Sequence, residues 1–104
     1  KKQRELFEAL IQEIKNDGIA IVLVSLPEYS AKTLDQDAVD LYKYFDQVSR
    51  GYEIPILNYN TRLKSAFNKK VLYYADGGHL NTLGSEEFSK ILVRDLKNVL
   101  MWYH

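Results

Sequence analysis

The stretch Ile19-Ala20-Ile21-Val22-Leu23-Val24-Ser25-Leu26 is apolar at almost every position and rich in β-branched side chains. A strand with one wet face alternates apolar and polar residues. A run that does not alternate needs cover on both faces, as an interior strand of a parallel sheet has. Parallel neighbours cannot be joined by a tight turn, so the chain beyond Pro27 must cross over before it pairs again. Leu34, Ala38, Leu41, Tyr42, Phe45 and Val48 recur at helical spacing and supply that crossover. Thr33 or Asp35 is placed to cap its start and Gly51 to close its end. A second short strand is expected at Ile54–Tyr59, with Pro55 near its beginning, where a missing amide is best tolerated. Strand, helix and strand make a βαβ unit with a right-handed crossover. The fold class is α/β.

The flanking segments agree with that class. Leu6, Phe7, Leu10, Ile11 and Ile14 form one stripe of an N-terminal amphipathic helix, opposed by Glu5, Glu8, Gln12, Glu13 and Lys15. Asn16-Asp17-Gly18 tolerates the left-handed backbone that ends a helix. Residues 60–70 read as irregular or a brief helical turn, and Val71–Ala75 as a short extended piece. A last helix is expected from Asn81 to Met101, its buried stripe made by Leu80, Leu83, Phe88, Ile91, Leu92, Leu96, Val99 and Leu100. Gly84 lies on that stripe, which predicts a close backbone approach rather than a break. Thr82 and Ser85 are placed to assist the start of this helix.

A chain of 104 residues supports one small domain at most, spanning 1–104. Its 46% hydrophobic and 27% charged content is ordinary for a folded soluble chain. Fourteen basic and fourteen acidic residues cancel and are scattered, so no electrostatic case exists for nucleic acid or an anionic membrane. The absence of cysteine excludes disulfides and thiolate metal sites, without fixing the compartment. The longest apolar run is far too short to span a bilayer, and the basic start Lys1-Lys2 leads into a helix rather than a signal peptide.

The residues that carry chemistry are concentrated in Asp76-Gly77-Gly78-His79-Leu80-Asn81-Thr82-Leu83-Gly84. An imidazole serves as a general base near neutral pH, provided the correct ring nitrogen is free. A carboxylate bonded to the other nitrogen secures that tautomer and stabilises the imidazolium that forms. Asp76 stands three residues before His79, with two glycines between them, so one turn can bring the two together. An Asp before a helix is by itself most often a cap or turn former. Other residues have structural defaults. Asn58 and Asn60 read as turn formers at a strand end rather than as site-lining groups, and Tyr29 as a packing or rim residue of the Leu26-Pro27-Glu28-Tyr29 turn. Tyr42, Tyr44, Phe45 and Tyr52 read as core. Asp76 and His79 lack the further ligands a metal would need, His104 being the terminal residue, and no cofactor is called for.

Taken as Asp-x-x-His-Leu-Asn-x-x-Gly, preceded by Tyr73-Tyr74 and followed by a helix with Phe88, the stretch resembles the last sequence block of the SGNH (GDSL-like) hydrolases and acyltransferases. The resemblance covers most of the chain, since the Ile19–Leu26 strand, the crossover helix and the final block fall in the expected order. It implies a three-layer, flavodoxin-like α/β architecture, of which this chain is the C-terminal part. It also implies ester hydrolysis or O-acyl transfer through an acyl-serine, with His79 as general base then acid, Asp76 as its orienting partner, and a carbohydrate ester as substrate. The family's Gly-Asp-Ser nucleophile block and its two oxyanion-hole blocks have no match; Ser25, Ser30 and Ser49 lack that context. The chain is therefore expected to be inert alone. The Leu26-Pro27-Glu28-Tyr29 segment is similar to envelope-associated, alginate acetyltransferase-like bacterial proteins, which implies an extracytoplasmic setting. In the family's sheet order the Ile19–Leu26 strand has a second neighbour that this chain does not supply, so self-association through that edge is expected. The competing reading is a non-catalytic flavodoxin-like interaction module, with Asp76 and His79 serving only as a turn.

Overall fold

Helix α1 (Lys2–Asn16) forms where the sequence places its apolar stripe and stops at Gly18, whose φ of +76° is open to a residue without a Cβ. In the computed structural model, residues 2–29, 36–62, 67–76 and 79–101 are described. The expected caps Thr33 and Asp35, the stripe residue Leu34, and Ser30, Gly77, Gly78 and His104 lie outside them. The chain packs as two units, one of residues 2–24 with 36–57 and one of residues 25–29 with 58–101.

In the first unit, α1 packs on helix α2 (Gln36–Tyr52), and two short strands, β1 (Leu23–Ser25) and β2 (Ile56–Asn58), pair with each other. Each strand ends by passing one residue into the second unit. Ile11, Val48 and Ile54 are the buried centre, with Phe7, Ile21, Leu23, Tyr44 and Tyr52 packed against them. Each such aliphatic side chain contributes roughly 1.5–3 kcal/mol on burial. Glu8 accepts hydrogen bonds from the hydroxyls of Tyr44 at 2.7 Å and Tyr52 at 3.0 Å, which tie these rings of α2 to α1. Tyr42, Tyr44, Phe45 and Tyr52, expected in the core, are half-buried at its margin. Desolvation, with Glu8 adding to it, pushes the Tyr44 phenol up to about 12.

Four expectations need correction. Gly51 does not close α2; the helix runs through it, and the left-handed residue is Glu53 at φ 56°. The Ile54 amide then returns to the Ser49 carbonyl at 3.0 Å, the closing bond of a Schellman-type end. The strand expected over Ile19–Leu26 is confined to Leu23–Ser25, paired with the equally short β2; the Ile19 amide is spent on the Ile14 carbonyl at 3.3 Å, closing α1. The strand expected over Ile54–Tyr59 is confined to Ile56–Asn58: the Asn58 carboxamide oxygen accepts the Asn60 amide at 3.0 Å, a side-chain turn that bends the chain into the short helix α3 (Tyr59–Arg62). Nor is the apolar run covered on both faces, since Ile19, Val24 and Leu26 are 57%, 39% and 62% exposed.

The second unit is built on aromatic rings. Tyr59, Phe67, Tyr74 and Phe88 are buried, with Tyr59 and Phe88 meeting edge to face at 4.8 Å and Phe67 touching Tyr73 at 4.7 Å. The Tyr59 hydroxyl donates to buried Asp95 at 2.6 Å, which satisfies a carboxylate that burial would otherwise penalise. The segment expected to be extended over Val71–Ala75 begins instead as a 3-10 turn, Val71–Tyr73, and only then extends as β3 (Tyr74–Asp76). Strand β4 (His79–Leu80) pairs antiparallel with β3, and helix α4 (Thr82–Leu100) follows. The described architecture is mixed α/β, mostly helical with short strands in two small sheets. No helix of the described residues is long and apolar enough to cross a membrane.

Candidate functional site

Tyr74 faces Leu80 in the β3–β4 hairpin and Asp76 faces His79, with a register irregularity at Ala75 between them. That register sets the imidazole Nδ1 of His79 at 2.8 and 3.0 Å from the two carboxylate oxygens of Asp76. With the proton on Nδ1 donated to Asp76, the lone pair on Nε2 is left at the opposite edge of the ring. The side chains are 79% and 62% exposed, so the pair adds little to stability; its consequence is the orientation of the ring. The two sequence-predicted catalytic residues are thus brought into contact with each other.

The rest of the motif builds the platform beneath this pair. Asn81 is the N-cap of α4: its carboxamide oxygen accepts the Gly84 amide at 2.8 Å. Its side-chain amide donates to the Leu72 carbonyl at 2.7 Å, and its backbone amide to the Tyr73 carbonyl at 2.9 Å. One residue therefore starts the helix and ties it to the chain entering β3. The capping side chain is that of Asn81, and Thr82 is the first residue of α4. Gly84 makes the close approach that its position on the apolar stripe predicts. A Cβ there would lie 2.0 Å from the Tyr73 carbonyl oxygen.

Asn58 and Asn60 are buried structural residues, in keeping with their default reading. Asn60 holds the turn after β1: its carboxamide oxygen accepts the Glu28 amide at 2.7 Å, while its Nδ2 donates to Ser25 Oγ at 3.0 Å and the Leu26 carbonyl at 2.9 Å. Asn68, which carries no sequence signal of its own, is fully buried and donates to the Glu28 carbonyl at 2.9 Å. Its segment lacks a hydrophobic period, so nothing in the spacing sets it apart from an ordinary loop asparagine. Tyr29 packs its ring against Tyr74 at 5.6 Å. Among the described residues, no group of three His, Asp or Glu side chains could hold a metal ion.

No family model matches the chain, and comparison with curated proteins and with solved structures finds no match.

Proposed function

We propose that the β3–β4 hairpin is the base half of a Ser-His-Asp acyl-transfer site of the SGNH type, and that this chain is the C-terminal part of the domain that houses it. The observation that carries the reading is the contact of His79 Nδ1 with both oxygens of Asp76, at 2.8 and 3.0 Å. In this mechanism His79 Nε2 takes the proton of a serine hydroxyl as that oxygen attacks an ester carbonyl. Asp76 holds the Nδ1 proton and stabilises the imidazolium. The same proton is then delivered to the departing alcohol, leaving an acyl-serine that water or a sugar hydroxyl attacks with His79 again as base. The substrate class is a carbohydrate ester, the setting an extracytoplasmic one, and the complete sheet the interior of a three-layer, flavodoxin-like sandwich.

The serine and its oxyanion donors have no counterpart in the sequence, and such donors are usually the largest electrostatic contribution to acyl transfer. The 104-residue chain alone is therefore expected to hydrolyse no aryl acetate above buffer and to take up no serine-directed phosphonate. The protein that joins it to a Gly-Asp-Ser block is expected to do both. Phosphonate-sensitive hydrolysis by the isolated chain would place the nucleophile within it and overturn this division. A complete protein with neither property would favour the interaction module.

The same reading has a consequence for assembly. Strand β1 pairs with β2 alone among the described residues, and its neighbours Ile19 and Leu26 are largely exposed. An apolar strand with one unpaired edge is a template for another chain. The isolated chain is expected to self-associate through residues 19–26, read as a light-scattering mass above that of a monomer. A monomer at high concentration with strong amide protection over residues 19–26 would contradict this.

A further inference from the structure

We propose that Glu28 and Tyr29 form a recognition wall for a sugar ring beside the Asp76–His79 pair, with the ring stacked on Tyr29 and its hydroxyls hydrogen-bonded to Glu28; this rests on the acyl-transfer reading of that pair. Two buried asparagines pin this turn at three points. Asn60 Oδ1 accepts the Glu28 amide, Asn60 Nδ2 donates to the Leu26 carbonyl, and Asn68 Nδ2 donates to the Glu28 carbonyl. Burying two carboxamides to hold one four-residue turn fixes its backbone, which is what a binding wall needs if it is not to lose affinity to ordering.

The turn is fixed next to β3, the strand that carries Asp76, the partner of the base. Tyr29 lies ring to ring with Tyr74 at 5.6 Å, and Tyr74 is two residues before Asp76 on β3, about 7 Å along an extended chain. The carboxylate of Glu28 is close enough to the Tyr74 phenol to raise its pKa, second to burial. Glu28 itself is exposed and Tyr29 half-buried, so the turn offers solvent a carboxylate and part of an aromatic ring. A carboxylate accepts two hydroxyl hydrogens, and an aromatic face takes the C–H side of a pyranose. Those two groups side by side match a polyhydroxylated ring better than an acyl chain, which has no donors for Glu28.

The test is an amide-resolved NMR titration of the 104-residue chain with methyl β-glucopyranoside, extended to tens of millimolar. Saturable shifts at residues 28, 29, 74 and 76 are expected. Tyr29→Ala should weaken the apparent affinity about tenfold, Tyr29→Phe should retain it, and Glu28→Gln should weaken it with the fold unchanged in amide dispersion. Absence of saturation, shifts insensitive to both Tyr29→Ala and Glu28→Gln, or preferential saturation by tetramethylammonium as a cation site would overturn the proposal. Saturable shifts at Tyr29, with turnover in the complete protein indifferent to His79→Ala, would remove the base assignment and leave the wall. The converse pair of results would remove the wall alone.

Discussion

In the complete protein, His79→Ala is expected to lower turnover of an aryl acetate by about 10⁴-fold, because members of a catalytic triad act as a unit and the loss of one disables the others. The contact responsible is the Nδ1 bond to Asp76, which commits the ring to present Nε2. Asp76→Asn is expected to cost nearly as much, roughly 10³- to 10⁴-fold, by a different route. A carboxamide can turn its N–H₂ toward Nδ1, which stabilises the tautomer with Nε2 protonated and leaves no lone pair for the serine. Both side chains are mostly exposed, so neither substitution should change the melting temperature appreciably. The decisive readout is kcat at unchanged stability. Turnover unaffected by His79→Ala would remove the base, and with it the acyl-transfer reading.

Among the described glycines, Gly84→Ala is expected to have the largest effect on stability, since a Cβ at Gly51 meets open space. Replacing glycine by alanine within a helix usually gains up to about 1 kcal/mol, since glycine has more backbone entropy to lose. Here the new Cβ would sit 2.0 Å from the Tyr73 carbonyl oxygen and 2.9 Å from its carbon, and backbone cannot move aside as a long side chain can. Relief requires α4 to withdraw from the Val71–Tyr73 turn. That would stretch the Asn81 bonds to Leu72 and Tyr73, at 2.7 and 2.9 Å, that seat the helix under the hairpin. A net loss of roughly 3 kcal/mol or more is expected, a fall in melting temperature on the order of 15 °C. Thermal unfolding followed by circular dichroism measures it. A melting temperature equal to or above that of the parent would mean that α4 does not approach the Val71–Tyr73 turn this closely.

The legible parts of this molecule were those written in periodicity or local spacing. The extent of α1, its end at Gly18 and the extent of α4 follow from repeated patterns, and the structure places them within a residue or two of expectation. The stripes themselves are only partly covered: Leu6 and Leu10 of α1 and Leu83 and Leu100 of α4, expected inside, are exposed. Asp76 and His79 were legible because they stand three residues apart, so their contact is local. Strand lengths were not legible. The apolar run of residues 19–26 carries the propensity for a long strand, but pairing needs a partner, and β2 supplies only three residues. The partner is cut short by Asn58, whose side chain competes with the ladder for the Asn60 amide. The burial of Asn60 and Asn68 was equally hidden. Their bonds reach the Glu28 turn across 32 and 40 residues of sequence, and no one-dimensional pattern records such a separation.

The account turns on Asp76 holding the Nδ1 proton of His79 so that Nε2 is free, and this can be measured on the chain itself. Long-range ¹H–¹⁵N correlation of the imidazole, at a pH where the ring is neutral, reports which nitrogen carries the proton. The predicted result is a protonated Nδ1 and an unprotonated Nε2, reversed in Asp76→Asn. A ring protonated on Nε2 in the parent chain, unchanged by Asp76→Asn, would contradict the account.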